Sequence, residues 1–305
     1  MRKTIFIFIS ILILLPSCKQ RIYTMEEDGG TTVKCYIRDM ASNGENIDTI
    51  KSILTQRLQH IDKGIIPLIE YDERDSIYTI QIPGPERIDG ELLLSHGKIY
   101  IEEMYTKQEI IPFLNRDSLM NEEIETYTFS QTSALLEGVE FDKMPMFDEI
   151  FNSQEIRSSL PSDVYMVWQE DKNLDYANLF VVKKNKRGVD INKFFVSSEV
   201  EHSKYSNSYE MSIALSKEGA TRFENLTSTN IGRSLAFLLD DKLLMAPMVQ
   251  SKIEGGRMSI TGKFSKEELT VINSVLYSPV IKSNIEIIKA DKNRKVNKAR
   301  NVLNP

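Results

Sequence analysis

The chain has 305 residues, 41% of them hydrophobic and 27% charged, with a formal net charge of −6. That length holds two modest domains, and the composition is that of an ordinary globular protein. An acidic chain without a basic, aromatic-rich surface is a poor fit to nucleic acid.

At the amino terminus, Arg2-Lys3 precedes the apolar run TIFIFISILILL and then Leu15-Pro16-Ser17-Cys18. A basic start, a short apolar stretch and a small residue before the break read as an export signal over residues 1–17. The run is shorter than the roughly 20 residues that a membrane-crossing helix needs. Leu-x-Ser-Cys also resembles a bacterial lipobox, with Pro16 an unusual occupant. That resemblance implies a diacylglycerol on the Cys18 thiol, with Cys18 as the acylated first residue of the mature protein. A plain secretory leader with a coincidental cysteine is the alternative. Acylation of Cys18 leaves Cys35 alone, so neither an internal disulfide nor a Cys/His metal site is expected. Cys35 lies in TTVKCYIRD and reads as a buried thiol on a strand. Residues 18–30, polar and ending in Gly29-Gly30, read as a tether.

A first unit starts with a strand at Thr31–Arg38. Asn46 or Asp48 caps a helix in which Ile47, Ile50, Ile53, Leu54, Leu58 and Ile61 recur at helical spacing, and Gly64 stops it. A strand follows around Ile65–Tyr71. Tyr78, Ile80 and Ile82 alternate with polar neighbours until Pro83-Gly84-Pro85 ends their strand. A short helix and the strand Lys98–Tyr105 are expected to complete this unit. Lys107–Phe151 reads as helix and loop, and strands are expected at Val164–Trp168 and Leu179–Lys183.

The segment from Tyr209 to Tyr277 is the most regular. Met211, Ile213 and Leu215 alternate as a half-buried strand. Ser216 and Glu218 favour the start of a helix carrying Phe223 and Leu226, and Asn230-Ile231-Gly232 supplies its exit. Leu235–Leu239 is a continuous apolar run suited to a central strand. Asp240-Asp241 turns into Leu243–Met248, and Gly255-Gly256 is expected to turn a further hairpin closed by Ile260-Thr261-Gly262. Ser265 and Glu268 form a capping box for a last helix with Leu269, Ile272, Val275 and Leu276 on its buried stripe.

In their order these segments resemble the periplasmic part of SecD, a subunit of the bacterial protein-export translocase. Arg57-Leu58, Gly64, Pro83-Gly84 and Ile101-Glu102 match the SecD base, and Ser278–Lys289 resembles the strand that returns to it. Met245-Ala246-Pro247 matches the Ser-Ala-Pro of the SecD head, whereas Asp241 stands where that family usually has glycine. The resemblance spans roughly residues 31–289. It implies an α+β fold of two ferredoxin-like, split α-β sandwich subdomains. The base would be residues 31–108 closed by 279–290, the head 109–278 inserted into it, and a basic tail 291–305 would follow. In SecD, proton coupling resides in membrane-spanning helices, which this chain is expected to lack. The resemblance therefore implies a binding module held in the bacterial envelope and facing the periplasm.

No reaction is legible. His60, His96 and His202 lie in no nucleophile or metal motif, and Gly255-Gly256 lacks the Lys-Ser/Thr of a phosphate loop. Catalytic residues, metals and cofactors are therefore not expected. The expected partners are unfolded or translocating polypeptides or an envelope protein, together with the membrane through Cys18. Client contact suits an apolar groove or an open sheet edge. Met245, Met248 and Ile253 are the candidate residues, because flexible methionines tolerate varied partners. Core packing accounts for the same three residues. A structural adaptor that has lost client binding is the alternative function.

Overall fold

The computed structural model describes residues 21–84, 88–114, 127, 133–171, 174–184, 188–204 and 206–293. In chain order the strands are β1 (Gly30–Arg38), β2 (Leu68–Asp72), β3 (Ile77–Pro83), β4 (Ile99–Glu103), β5 (Leu136–Glu140), β6 (Val164–Asp171) and β7 (Tyr176–Lys183). They continue with β8 (Val189–Asp190), β9 (Phe195–His202), β10 (Tyr209–Leu215), β11 (Leu235–Leu239), β12 (Lys242–Met245), β13 (Arg257–Ile260) and β14 (Asn284–Asn293). They form four sheets, ordered β14-β1-β3-β2, β12-β11-β4-β8, β13-β10-β9 and β5-β7-β6. Every named strand pair is antiparallel.

The first sheet buries one face under the helix Ile47–Ile61. Asn46 caps that helix by accepting from Thr49 N, and the Asp62 backbone N–H closes its far end on Leu58 O. Ile50, Ile53, Leu54 and Leu58 meet Val33, Cys35, Ile80 and Ile82 in one core. The last strand returns to this sheet, with Ile287 opposite Cys35 and a bulge where the register shifts between Lys34 and Cys35. β14 runs on through Asn293, so residues 291–293 are strand and not tail.

Three sequence expectations change here. Residues 21–30 are docked rather than free, because Tyr23 N donates to Gly64 O at 3.0 Å and Met25–Asp28 is a short helix capped by Thr24. A Cβ on Gly64 would meet Arg21 O at 2.2 Å, so this glycine permits close approach of two backbones. The strand at Ile99–Glu103 does not complete the first sheet. It pairs with β11, Ile101 opposite Phe237, and so belongs to the second sheet. Finally, β12 and β13 are not a hairpin: β12 pairs with β11, and β13 pairs with β10 in another sheet.

β11 is buried at all five positions. Leu235, Phe237 and Leu239 face a core shared with the helices Lys217–Thr229 and Lys266–Leu276, while Ala236 and Leu238 face β6 and β7. This is the two-sided burial that a continuous apolar run requires. Lys107–Phe151, read from sequence as helix and loop, also holds the strand β5, which joins β6 and β7, where strands were expected, in a further helix-on-sheet layer. There β5, β6 and β7 pack Val139, Val164, Leu179 and Val181 against Phe147, Phe151 and Ile156 of its helices. The architecture is α+β throughout.

Candidate functional site

β12 ends at Met245, and the chain leaves the sheet through Ala246-Pro247. The segment that follows is pinned along its length. Leu235 N donates to Pro247 O at 3.1 Å, Val249 N to Arg233 O at 2.9 Å and Gly232 N to Val249 O at 2.8 Å. Ile253 N donates to Thr227 Oγ1 at 3.0 Å, and Lys252 pairs with Glu224 at 3.0 Å. Gly255 and Gly256 then take positive φ angles of 78° and 63°. A Cβ on Gly256 would lie 2.6 Å from the Cβ of Ala220, so the turn rests directly on the helix Lys217–Thr229.

This path encloses a cavity of about 300 Å³ in which all three candidate residues meet. Phe223, Leu235, Phe237 and Met258 are buried and form its inner wall. Met245 is 9% exposed and belongs to that wall, whereas Met248 and Ile253 are 53% and 37% exposed at the mouth. The two readings of these side chains thus divide between them: Met245 packs as core, and the other two offer apolar surface to solvent. Phe223, Pro247 and Met258 escaped the sequence reading as lining residues. Phe223 was legible only as a buried helix position, and its role depends on which sheet Met258 joins. Cys18 lies outside the described residues.

A second cavity, about 690 Å³, shares Met245 and Thr261 with the first. Its lining mixes apolar residues with Gln169, Glu170, Asp171, Lys263 and Glu268. Lys263 Nζ lies 2.6 Å from Asp171, and that hydrogen bond holds the ammonium above its ordinary pKa. Gln169 Nε2 donates to Leu244 O at 3.2 Å, tying the β6-β7 ribbon to β12.

The Arg57 of the SecD-like Arg-Leu pair is wholly buried. Its guanidinium donates to Ser278 Oγ at 2.9 Å and to the carbonyls of Leu93, Ser95 and His96 at 2.5, 2.7 and 3.1 Å. Burial lowers its pKa to about 10, against the opposing charge of Asp240. These bonds fix the segment that joins the first sheet to β4. The histidines are structural contacts. His60 stacks on Tyr277 with ring centroids 4.2 Å apart, His96 Nδ1 lies 2.8 Å from Ile281 O, and His202 Nδ1 lies 3.0 Å from Ser203 O. Among the described residues no group of three or more His, Cys, Asp or Glu side chains is placed to hold a metal ion. No helix among them is long and apolar enough to cross a membrane.

The family model for the SecDF P1 head subdomain matches residues 171–285. The translocase subunit SecD of Sebaldella termitidis is 40% identical over 75 residues, covering 25% of this chain and 18% of the relative. SecD of Leptotrichia buccalis is 39% identical over 79 residues, covering 26% and 20% respectively. SecDF of Thermus thermophilus is 41% identical over 69 residues, covering 23% and 9%. The matched part is thus a fifth or less of those relatives' length. Among solved structures, SecDF in its super-membrane-facing form aligns with 90% of this chain and 32% of its own, at 18% identity and a TM-score of 0.46. A structure of the membrane component SecDF that enhances protein export aligns with 85% of this chain and 98% of its own, at 16% identity and a TM-score of 0.43.

The sequence matches fall on one part of the chain, residues 171–285, which is similar to the head of a protein-export subunit. The chain carries a SecD-like periplasmic domain, whose residues 171–285 match the P1 head.

Proposed function

We propose that this chain is a lipid-anchored envelope protein whose SecD-type head, facing the periplasm, binds unfolded or translocating polypeptides. The observation that carries this reading is the preformed apolar cavity with Met248 and Ile253 exposed at its mouth. Apolar side chains held open to water by a hydrogen-bonded frame favour an apolar partner, since burial yields about 25 cal/mol per Å². Methionine adapts to side chains of different shape, which suits a site that takes many sequences. Anchoring rests on Leu15-Pro16-Ser17-Cys18, with Cys18 as the acylated residue.

A photo-crosslinker at Met248 tests the binding. Crosslinks to several secretory chains, rising with secretory load, are expected. A single stoichiometric folded partner, indifferent to that load, would overturn client binding in favour of an adaptor. Cys18→Ala is expected to release the protein from membranes, and continued retention would remove the anchor from the proposal.

A further inference from the structure

We infer that the head takes its polypeptide as an added β-strand along the free edge of β13, in a fixed register. An apolar side chain enters the cavity at Met248 and Ile253, and a basic side chain enters the adjoining cavity rimmed by Glu170 and Glu268. This deepens the client-binding reading and rests on it.

β13 pairs with β10 along one side only, Met258 opposite Ile213 and Ile260 opposite Met211. On its other side no strand follows among the described residues. Met258 and Ser259 are neighbours whose side chains point to opposite faces, yet both line the apolar cavity. The cavity therefore runs beside the outer edge of the strand, where unpaired main-chain groups point, and not merely over one face. An extended chain laid there gains main-chain hydrogen bonds and places every second side chain on the side of Met258.

Beyond Ile260 the two cavities share Thr261 and Met245 as wall. The far cavity is lined by three carboxylates, Glu170, Asp171 and Glu268, against the single ammonium of Lys263. Lys263 is already committed to Asp171, and Glu268 accepts from Ser265 N and Oγ. Glu170 is exposed, so its charge is available to an incoming cation. Phe264 and Leu243 in the same lining suit the aliphatic stem of Lys or Arg. From Met258 to Gly262 a strand advances about 13 Å, at ~3.3 Å per residue. The favoured client therefore carries its basic residue about four positions from the apolar one.

Binding of fluorescent unstructured peptides to the full-length protein in detergent, followed by anisotropy at low salt, tests this register. The parent peptide carries an apolar triplet and a Lys four residues away. Replacing that Lys with Glu is expected to weaken binding about fivefold. Glu170→Lys should abolish or reverse the preference. Methylating alternate backbone nitrogens of the peptide should weaken binding at least about tenfold, through several lost hydrogen bonds. Equal binding of all these peptides, or a charge preference unchanged by Glu170→Lys, would overturn the register while leaving client binding intact. Absence of binding by every peptide, the parent included, would overturn client binding itself and the register with it.

Discussion

At the scale of single residues, Arg57 shows how a charge is kept inside this protein. It sits on the buried face of the helix Ile47–Ile61, yet among the described residues no carboxylate accepts from it. Its hydrogen bonds go to carbonyls around the end of the short helix Gly90–Leu93 and to Ser278, and backbone dipoles take the place of a counter-ion. Arg57→Met retains most of the volume but strands the carbonyls of Leu93 and Ser95, while His96 O keeps its bond from Ile281 N. A loss of about 3 kcal/mol or more is expected from chemical denaturation, since each buried unmade bond costs ~1–3 kcal/mol. A change below about 1 kcal/mol would mean that the segment relaxes to water. Asp240 is a second instructive residue. Its φ of 54° places it, and not Asp241, in the left-handed region. Its carboxylate accepts from Lys98 N at 2.9 Å and Gly97 N at 3.3 Å. The absence of the family's glycine at Asp241 therefore costs this turn no strain.

At the scale of elements, the helix Lys107–Leu114 is opened by a pairing that the sequence already spells as Thr-x-x-Glu. Thr106 Oγ1 accepts from Glu109 N at 3.3 Å, and Glu109 accepts from Thr106 N at 2.8 Å. Arg233 donates to Glu109 at 2.6 Å and so ties this helix to the start of β11. Burial opposes the charged form of Glu109. The bonds from Arg233 and Thr106 N and the charge of Lys183 outweigh it, bringing the pKa from an ordinary 4.5 to about 2. A carboxylate whose folded pKa lies below its unfolded one stabilises the fold above about pH 4.5, and loses that contribution as pH falls toward 2. The melting temperature of the wild type should exceed that of Glu109→Gln at pH 6, with the gap closing between pH 4.5 and 2. A gap independent of pH over that range would show that the ion pair is not its source.

At the scale of the whole molecule, the strand that closes the first sheet comes from the far end of the chain. β14 covers β1 from Gly30 to Arg38, and the buried Cys35 faces the helix core between them. Burial raises the Cys35 thiol to about 11. In a Cys18→Ala background, thiol reagents should leave the native protein unlabelled and react only on unfolding. A chain ending at Ser283 lacks β14 and should label without denaturant. Resistance of the truncated chain would mean that β1 and the helix bury Cys35 unaided.

The sequence by itself determined what local periodicity and capping encode. The helix starts at Asn46, Ser216 and Ser265, the alternation of Met211, Ile213 and Leu215, and the buried run of β11 each depend on neighbours a few residues away. Tertiary structure decided which strand lies beside which. Antiparallel neighbours carry similar alternation whatever their partner, so nothing local told β4 to join β11 or kept β12 apart from β13. The same holds for the candidate site. Met245, Met248 and Ile253 were readable as apolar, but only the packing of the helix Lys217–Thr229 against two separate sheets made one of them wall and two of them mouth.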